Sequence, residues 1–267
     1  MTATAMTPVA EAIRRTLLTG EARDKVMATR ALVRAWRKGD LSWDFAAAMP
    51  DRPAWPAALE LLPPNRMPKR NAGGSQRKAA ALWHSLAHIE FVAIDLALDM
   101  AGRFGAQMGC EFVSDFLSVA ADEAMHFALI DRKLRAFGSH YGALPAHGGL
   151  WEAAEATRHD VAARLAVVPM VLEARGLDVT PATRDRALAQ GDAHGARILQ
   201  RILDDEIRHV AFGTKHFVAL CKAEGILPEQ QWKMLVERHF RGTLKPPFND
   251  SARAAAGLSR DFYDRVA

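Results

Sequence analysis

Two Glu-x-x-His motifs, Glu123-Ala-Met-His126 and Glu206-Ile-Arg-His209, are the residues of this chain best suited to chemistry. On a helix, positions i and i+3 share a face, so a carboxylate and an imidazole at that spacing can bind one metal ion together. Either motif alone says little, because 13 glutamates and 10 histidines give about half an occurrence by chance. Their setting carries more weight. Glu90 precedes Glu123 by 33 residues, and Glu173 precedes Glu206 by the same 33. The chain therefore spells one pattern twice, a lone glutamate and then, a helical hairpin later, Glu-x-x-His. One glutamate from each of two helices and a Glu-x-x-His from each of two others is the inventory of a two-metal carboxylate site. Glu90, Glu123, His126, Glu173, Glu206 and His209 are the candidate ligands. An oxygen-rich set with two imidazoles suits iron, with manganese as the alternative.

The neighbours of these residues are apolar: Ala87, Phe91, Ile94, Phe127, Ile130, Ile202, Val210 and Phe212. Carboxylates buried in such stretches are costly unless they are paired or bound to cations. An aspartate precedes each Glu-x-x-His, and Asp122 and Asp205 are placed to hold the outer nitrogens of metal-bound imidazoles. Arg208 can pair with one of these acids. His84 and His88 share a helix face, but Glu90 lies about 200° around the helix from His88. They read as an internally satisfied pair and not as part of the same site. His216, two turns beyond His209, reads equally as a neighbour of the site or as core.

Helices must position all of this, since helical periodicity dominates and strand signals are almost absent. Residues 7–18 and 22–37 carry apolar positions at helical spacing. Six prolines between Pro50 and Pro68 break residues 40–75 into a wrapping connector with one short helical turn near Ala57–Leu62. Long helices follow at about 76–104, 108–137, 149–175 and 190–223, separated by Gly102–Gly109, Gly138–Gly149 and Gly176–Gly191. Glu90 and Glu123 then lie roughly 20 Å from their helix ends, at one level of a hairpin. Pro169 introduces a kink, and Gly176 with Pro181 ends or breaks the helix just after Glu173. A shorter helix begins after Pro228, and the tail from Pro246 packs on the outside. The pattern is all-α, with residues 1–75 an N-terminal helical and Pro-rich extension, 76–225 a helical bundle and 226–267 a C-terminal helix and tail.

Composition narrows the classes further. The hydrophobic and charged fractions, 49% and 25%, are those of an ordinary globular protein. Cys110 and Cys221, with no Cys-x-x-Cys, argue against a disulfide framework, a zinc finger or a rubredoxin-type module, and both read as small buried side chains. Charged residues interrupt the N-terminus before any signal-like apolar run, and no run of about 18 consecutive apolar residues occurs. The expectation is a cytoplasmic protein with no membrane span. The net charge of +4 is only mildly basic.

The segments LLPPNRMPKR (61–70), HSLAHIEFVAIDLALDM (84–100), ADEAMHF (121–127), VLEARGLDVTP (171–181) and DDEIRHVAFG (204–213) resemble the uncharacterised bacterial ferritin-like family known as domain of unknown function 455. The resemblance implies a ferritin-like four-helix bundle holding two iron ions on the six ligands, within the di-iron carboxylate superfamily. It implies an oxidoreductase role, a non-haem oxidase or monooxygenase that activates O2 with a separate electron donor and an unknown small-molecule substrate. An iron-oxidising, iron-handling protein uses the same ligands, although some 75 residues before the first bundle helix are awkward in a cage subunit. An RNA-modifying hydroxylase is the third reading, because Leu61–Ile89 holds Arg66, Lys69, Arg70, Arg77 and Lys78 and no acid. A homo-oligomer is compatible with all three.

Overall fold

The computed structural model describes residues 6–67 and 75–264, and it is mostly helical. The chain divides into two compact units, Met1–Trp151 and Glu152–Ala267.

The first unit opens with β1 (Thr7–Pro8), α1 (Val9–Leu17), α2 (Ala22–Lys38) and β2 (Leu41–Ser42). The two short strands pair in parallel, Thr7 with Leu41 and Pro8 with Ser42, and were not evident from the sequence pattern. The principal hairpin is α3 (Ser75–Met108) and α4 (Cys110–Ala136), with Gly109 at the corner in the left-handed region (φ 92°). Helix α1 packs on α3, and α2 packs on α4.

Gly102 and Gly105 do not punctuate this hairpin, contrary to expectation; both lie inside α3. Their role is close approach. A Cβ on Gly102 would collide with Met49 and touch Ile13, and one on Gly105 would come within 2.6 Å of Phe45 and Val113. The proline-rich segment therefore lies directly on α3. It is fastened there by Lys25, whose buried Nζ donates to Asp95 Oδ1 (2.6 Å) and to the carbonyl of Ala54 (2.8 Å). Trp55 Nε1 donates to the other Asp95 oxygen (2.8 Å), and Arg103 bridges Asp99 and the carbonyl of Pro50. Near 57–62 the expected turn is a single one at Ala57–Ala58, closed by the Leu59 amide on the Pro56 carbonyl (2.9 Å); Leu61 then runs extended beside Ala146, and a 3-10 turn follows at Pro64–Arg66.

By length and by the mean hydropathy of its most apolar window (1.3), the stretch Gln76–Met108 of α3 reaches the range of a membrane-crossing helix, although charged residues interrupt it. It is a core helix: 72% of its most apolar window is buried within the protein.

Helix α5 (Gly149–Ala156) contains the boundary between the units. The second unit continues with α6 (Val161–Val167), a π-helical segment (Val168–Glu173), α7 (Ala174–Ala189) and α8 (Ala193–Glu224). The expected helix at 149–175 is thus three pieces. Asp160 interrupts it by capping α6, accepting from the amide of Ala163 (3.0 Å). The chain does not break at Gly176 or Pro181, and α7 runs on to Ala189. Pro181 cannot donate to the carbonyl of Leu177, four residues back. Asn249 takes over, its Nδ2 donating to that carbonyl (3.1 Å).

Helix α8 is capped by Asp192 at its start and by the left-handed Gly225 at its end, as typical helix boundaries are. Helix α9 (Pro228–His239) follows, its Trp232 indole donating to the carbonyl of Ala166. The tail does not lie on the outside. In α10 (Asp250–Ala255) and α11 (Arg260–Tyr263), Arg253, Phe262 and Tyr263 are buried. Arg253 forks onto both oxygens of Asp178 on α7 (2.8 and 2.7 Å), between the rings of Phe248 and Tyr263.

Candidate metal centre

In the first unit, α3 and α4 bring Glu90, Glu123 and His126 together, as their spacing implies. Each is near the middle of its helix and each is buried. His126 Nδ1 lies 3.2 Å from a Glu90 oxygen and 3.3 Å from a Glu123 oxygen. The three side chains offer ligand atoms within 4.8 Å of one another. Burial drives the Glu90 pKa well above the usual carboxylate range, and the nearby Glu123 carboxylate pushes it further; His126 opposes both. Two carboxylates and an imidazole converging away from water is an arrangement that a cation relieves.

Aromatic side chains close this side of the cluster. Phe91 and Phe127, next in sequence to Glu90 and His126, pack against Tyr141 with ring centroids 5.0 and 5.3 Å away. His84 and His88 hold the loop that carries Tyr141. His84 Nε2 accepts from the amides of Gly142 (3.0 Å) and Leu144 (3.4 Å). His88 Nδ1 meets the Tyr141 hydroxyl (2.9 Å), and its Nε2 meets the carbonyl of His147 (3.1 Å). Burial lowers both imidazole pKa values to about 4. The pair is satisfied internally, as the sequence suggested. Tyr141 was not foreseen, and its one signal is that the chain has only two tyrosines.

In the second unit, Glu206 and His209 are buried on α8, with His209 Nδ1 3.6 Å from a Glu206 oxygen. Glu173 is the last residue of the π segment and is half-buried. Gly176, one turn after Glu173, faces Glu206: a Cβ there would lie 4.0 Å from Glu206 Cγ. The first turn of α7, directly after Glu173, therefore faces Glu206. Gly213, two turns along α8 from Glu206, seats Pro169 of the π segment so closely that a Cβ would come under 3.0 Å from the ring. Asp205 holds Arg201 (2.6 Å) and Arg208 (3.5 Å), and His216 is buried.

Cys221 is buried as expected, whereas Cys110, the first residue of α4, is exposed. Of the basic positions between Leu61 and Ile89, Arg66, Arg77 and Lys78 are exposed, and Lys69 and Arg70 lie outside the described residues.

Helical hairpins carrying buried carboxylates and imidazoles place the chain among all-α proteins with a cluster able to hold a metal ion. The family model described as a protein of unknown function (DUF455) matches residues 18–264, and the chain belongs to that family. An uncharacterized protein of Haemophilus influenzae is 40% identical over 229 residues, 84% of this chain and 77% of its own length. No solved structure matches.

Proposed function

We propose that the protein is a two-metal carboxylate oxidoreductase built on a ferritin-like four-helix bundle, with Glu90, Glu123, His126, Glu173, Glu206 and His209 as ligands. The observation that carries this reading is the buried convergence of Glu90, Glu123 and His126 in the first unit. The same Glu-x-x-His arrangement recurs in the second unit, 33 residues after Glu173. The donor set fits the ions: oxygen-rich, with two imidazoles and no thiolate, it suits iron or manganese better than zinc or copper. Bound there, such ions would supply the activation of O2 and the oxidation of an organic substrate.

The chain's own residues have definable tasks. Glu90 is held toward its protonated form by burial and by Glu123, so a cation takes the place of that proton. His126 Nδ1 converges with one oxygen each of Glu90 and Glu123, and these are the donor atoms that would hold an ion in this unit. Phe91 and Phe127 exclude water from Glu90 and His126. Asp122 and Asp205, one residue before each Glu-x-x-His, would fix imidazole orientation, Asp205 while also holding Arg201 and Arg208.

Anaerobic loading with Fe(II) and elemental analysis tests the reading. About two metal ions per chain are expected, with loss of metal in both Glu123→Ala and His209→Ala. Stoichiometric binding that survives replacement of all six residues would refute the site. A hollow oligomer with a mineral core would redirect the reading toward iron storage.

A further inference from the structure

One face of α2 is a cationic stripe. Arg23, Met27, Arg30, Arg34, Arg37 and Lys38 fall within an arc of about 100° on the helix. All except the half-buried Arg30 are exposed. No acidic residue occurs between Lys25 and Lys38. Some surface arginines elsewhere have acidic partners, among them Arg15 with Glu11, Arg135 with Asp131 and Arg260 with Asp250; the α2 face differs in gathering five cations without one. Among the described residues, the five cations of the stripe make no ion pair or side-chain hydrogen bond.

The stripe ends at a groove of about 530 Å³, walled by Trp36, Arg37, Trp43, Cys110 and Ser114. Trp36 Nε1 donates to Ser114 Oγ (3.0 Å), which fixes its ring. Trp43 is 48% exposed, 6.3 Å from Trp36 between centroids and braced edge-on by Phe45 at 4.8 Å. An uncompensated row of cations leading to a braced, open indole offers two complementary contacts, to phosphate charge and to a flat π surface.

We propose that this face binds single-stranded nucleic acid, with phosphates along α2 and an unpaired base stacked on Trp43 in the groove. From Arg23 to Lys38 the stripe is about 22 Å long, the length of about six nucleotides at 3.4 Å per stacked residue. Indoles that wall a groove give a flat base a face to stack on, whereas a lipid surface would be met by a row of projecting apolar side chains, and the stripe carries one, Met27. The surface involves none of the proposed metal ligands, so either proposal can fail without the other.

The test uses the full chain and fluorescein-labelled ten-nucleotide strands, RNA and DNA of one sequence, read by anisotropy from 50 to 200 mM salt. Both single strands should bind more tightly than the matching duplex, with a log–log salt slope of about −3.5 for five phosphate contacts. Arg30→Ala/Arg34→Ala should reduce that slope by about 1.4. Trp43→Ala should weaken binding about 5- to 150-fold and leave the slope unchanged. Circular dichroism confirms that these surface variants fold. Lys222→Ala/Arg238→Ala, in the second unit, should change nothing. No binding at 50 mM salt, equal binding of duplex, or binding indifferent to the α2 and Trp43 variants would overturn the proposal. So would capture by phosphatidylserine vesicles that depends on Met27 and occurs without oligonucleotide binding.

Discussion

Gly213→Ala sets two effects of opposite sign against each other. Replacing a glycine inside a helix by alanine stabilises by about 1 kcal/mol through backbone entropy. At this position the new methyl would meet the Cβ and Cγ of Pro169 at under 3.0 Å. A proline ring in a buried π segment cannot swing aside as a flexible side-chain tip can. Overpacking costs about 1–3 kcal/mol, and so close a contact with a rigid ring belongs in the upper half of that range, so the expected net change is a loss of about 1–2 kcal/mol. For a chain of this size that corresponds to a fall in Tm of about 2–8 °C. Thermal and urea unfolding of the metal-free protein, followed by circular dichroism, measures it. Gly176→Ala supplies the contrast: its methyl makes only ordinary contact with Glu206 Cγ at 4.0 Å, so entropy should prevail and stability should rise by up to about 1 kcal/mol. A Gly213→Ala protein as stable as the parent, or more so, would refute the close seating of Pro169 on α8.

Three further outcomes are expected. Lys25→Met strands the buried Asp95 carboxylate and should cost about 3–5 kcal/mol, whereas Lys25→Met/Asp95→Leu should recover most of it; equal stabilities for the two variants would contradict a buried pair. His84 and His88 are held at pKa values of about 4, below the ordinary 6.5. The unfolded chain therefore protonates first as pH falls, and their contribution is lost between about pH 6.5 and 4. Asp95, raised to about 6, acts in the opposite sense over the lower part of this range. The difference between wild type and His84→Gln isolates the imidazole, and Tm profiles that run parallel across the window would contradict the assignment. Asn249→Ala removes the donor to the Leu177 carbonyl and the cap of α10, for an expected loss of about 1–3 kcal/mol in urea unfolding. In a Pro181→Ala background, where the helix amide is restored, that loss should shrink.

Much of the helical frame was legible because periodicity and caps are local. Helices α1, α2 and α4 fall within two residues of the positions expected from apolar spacing, α8 within three, and α9 starts at Pro228 as expected. The failures have a common cause: a distant segment changes what a breaker residue means. Gly102 and Gly105 look like punctuation, yet each makes room for the segment around Phe45–Met49. Pro181 looks like a helix end, yet Asn249 supplies the missing donor. The pairing of Glu90 with Glu123 and His126 was readable from equal spacing along two helices. Tyr141 and the Trp36–Trp43 groove were not, because loops bring them into place from positions with no periodic signature.

The bond from Asn249 to Leu177 also has a meaning in time. A helix normally completes its own hydrogen bonds within a turn, but α7 depends on a side chain 72 residues further along. At about 5–20 residues per second of synthesis, that donor emerges roughly 4–14 s after Leu177. Asp178 waits as long for the amide of Asn249 and the guanidinium of Arg253. Until then the first turns of α7 have an unfilled carbonyl, and Asp178 has Arg175 beside it (3.6 Å) but not the fork of Arg253. Helix α7 is therefore finished by residues made long after it, and it should be the last of the helices before α9 to resist proteolysis on a ribosome-bound chain.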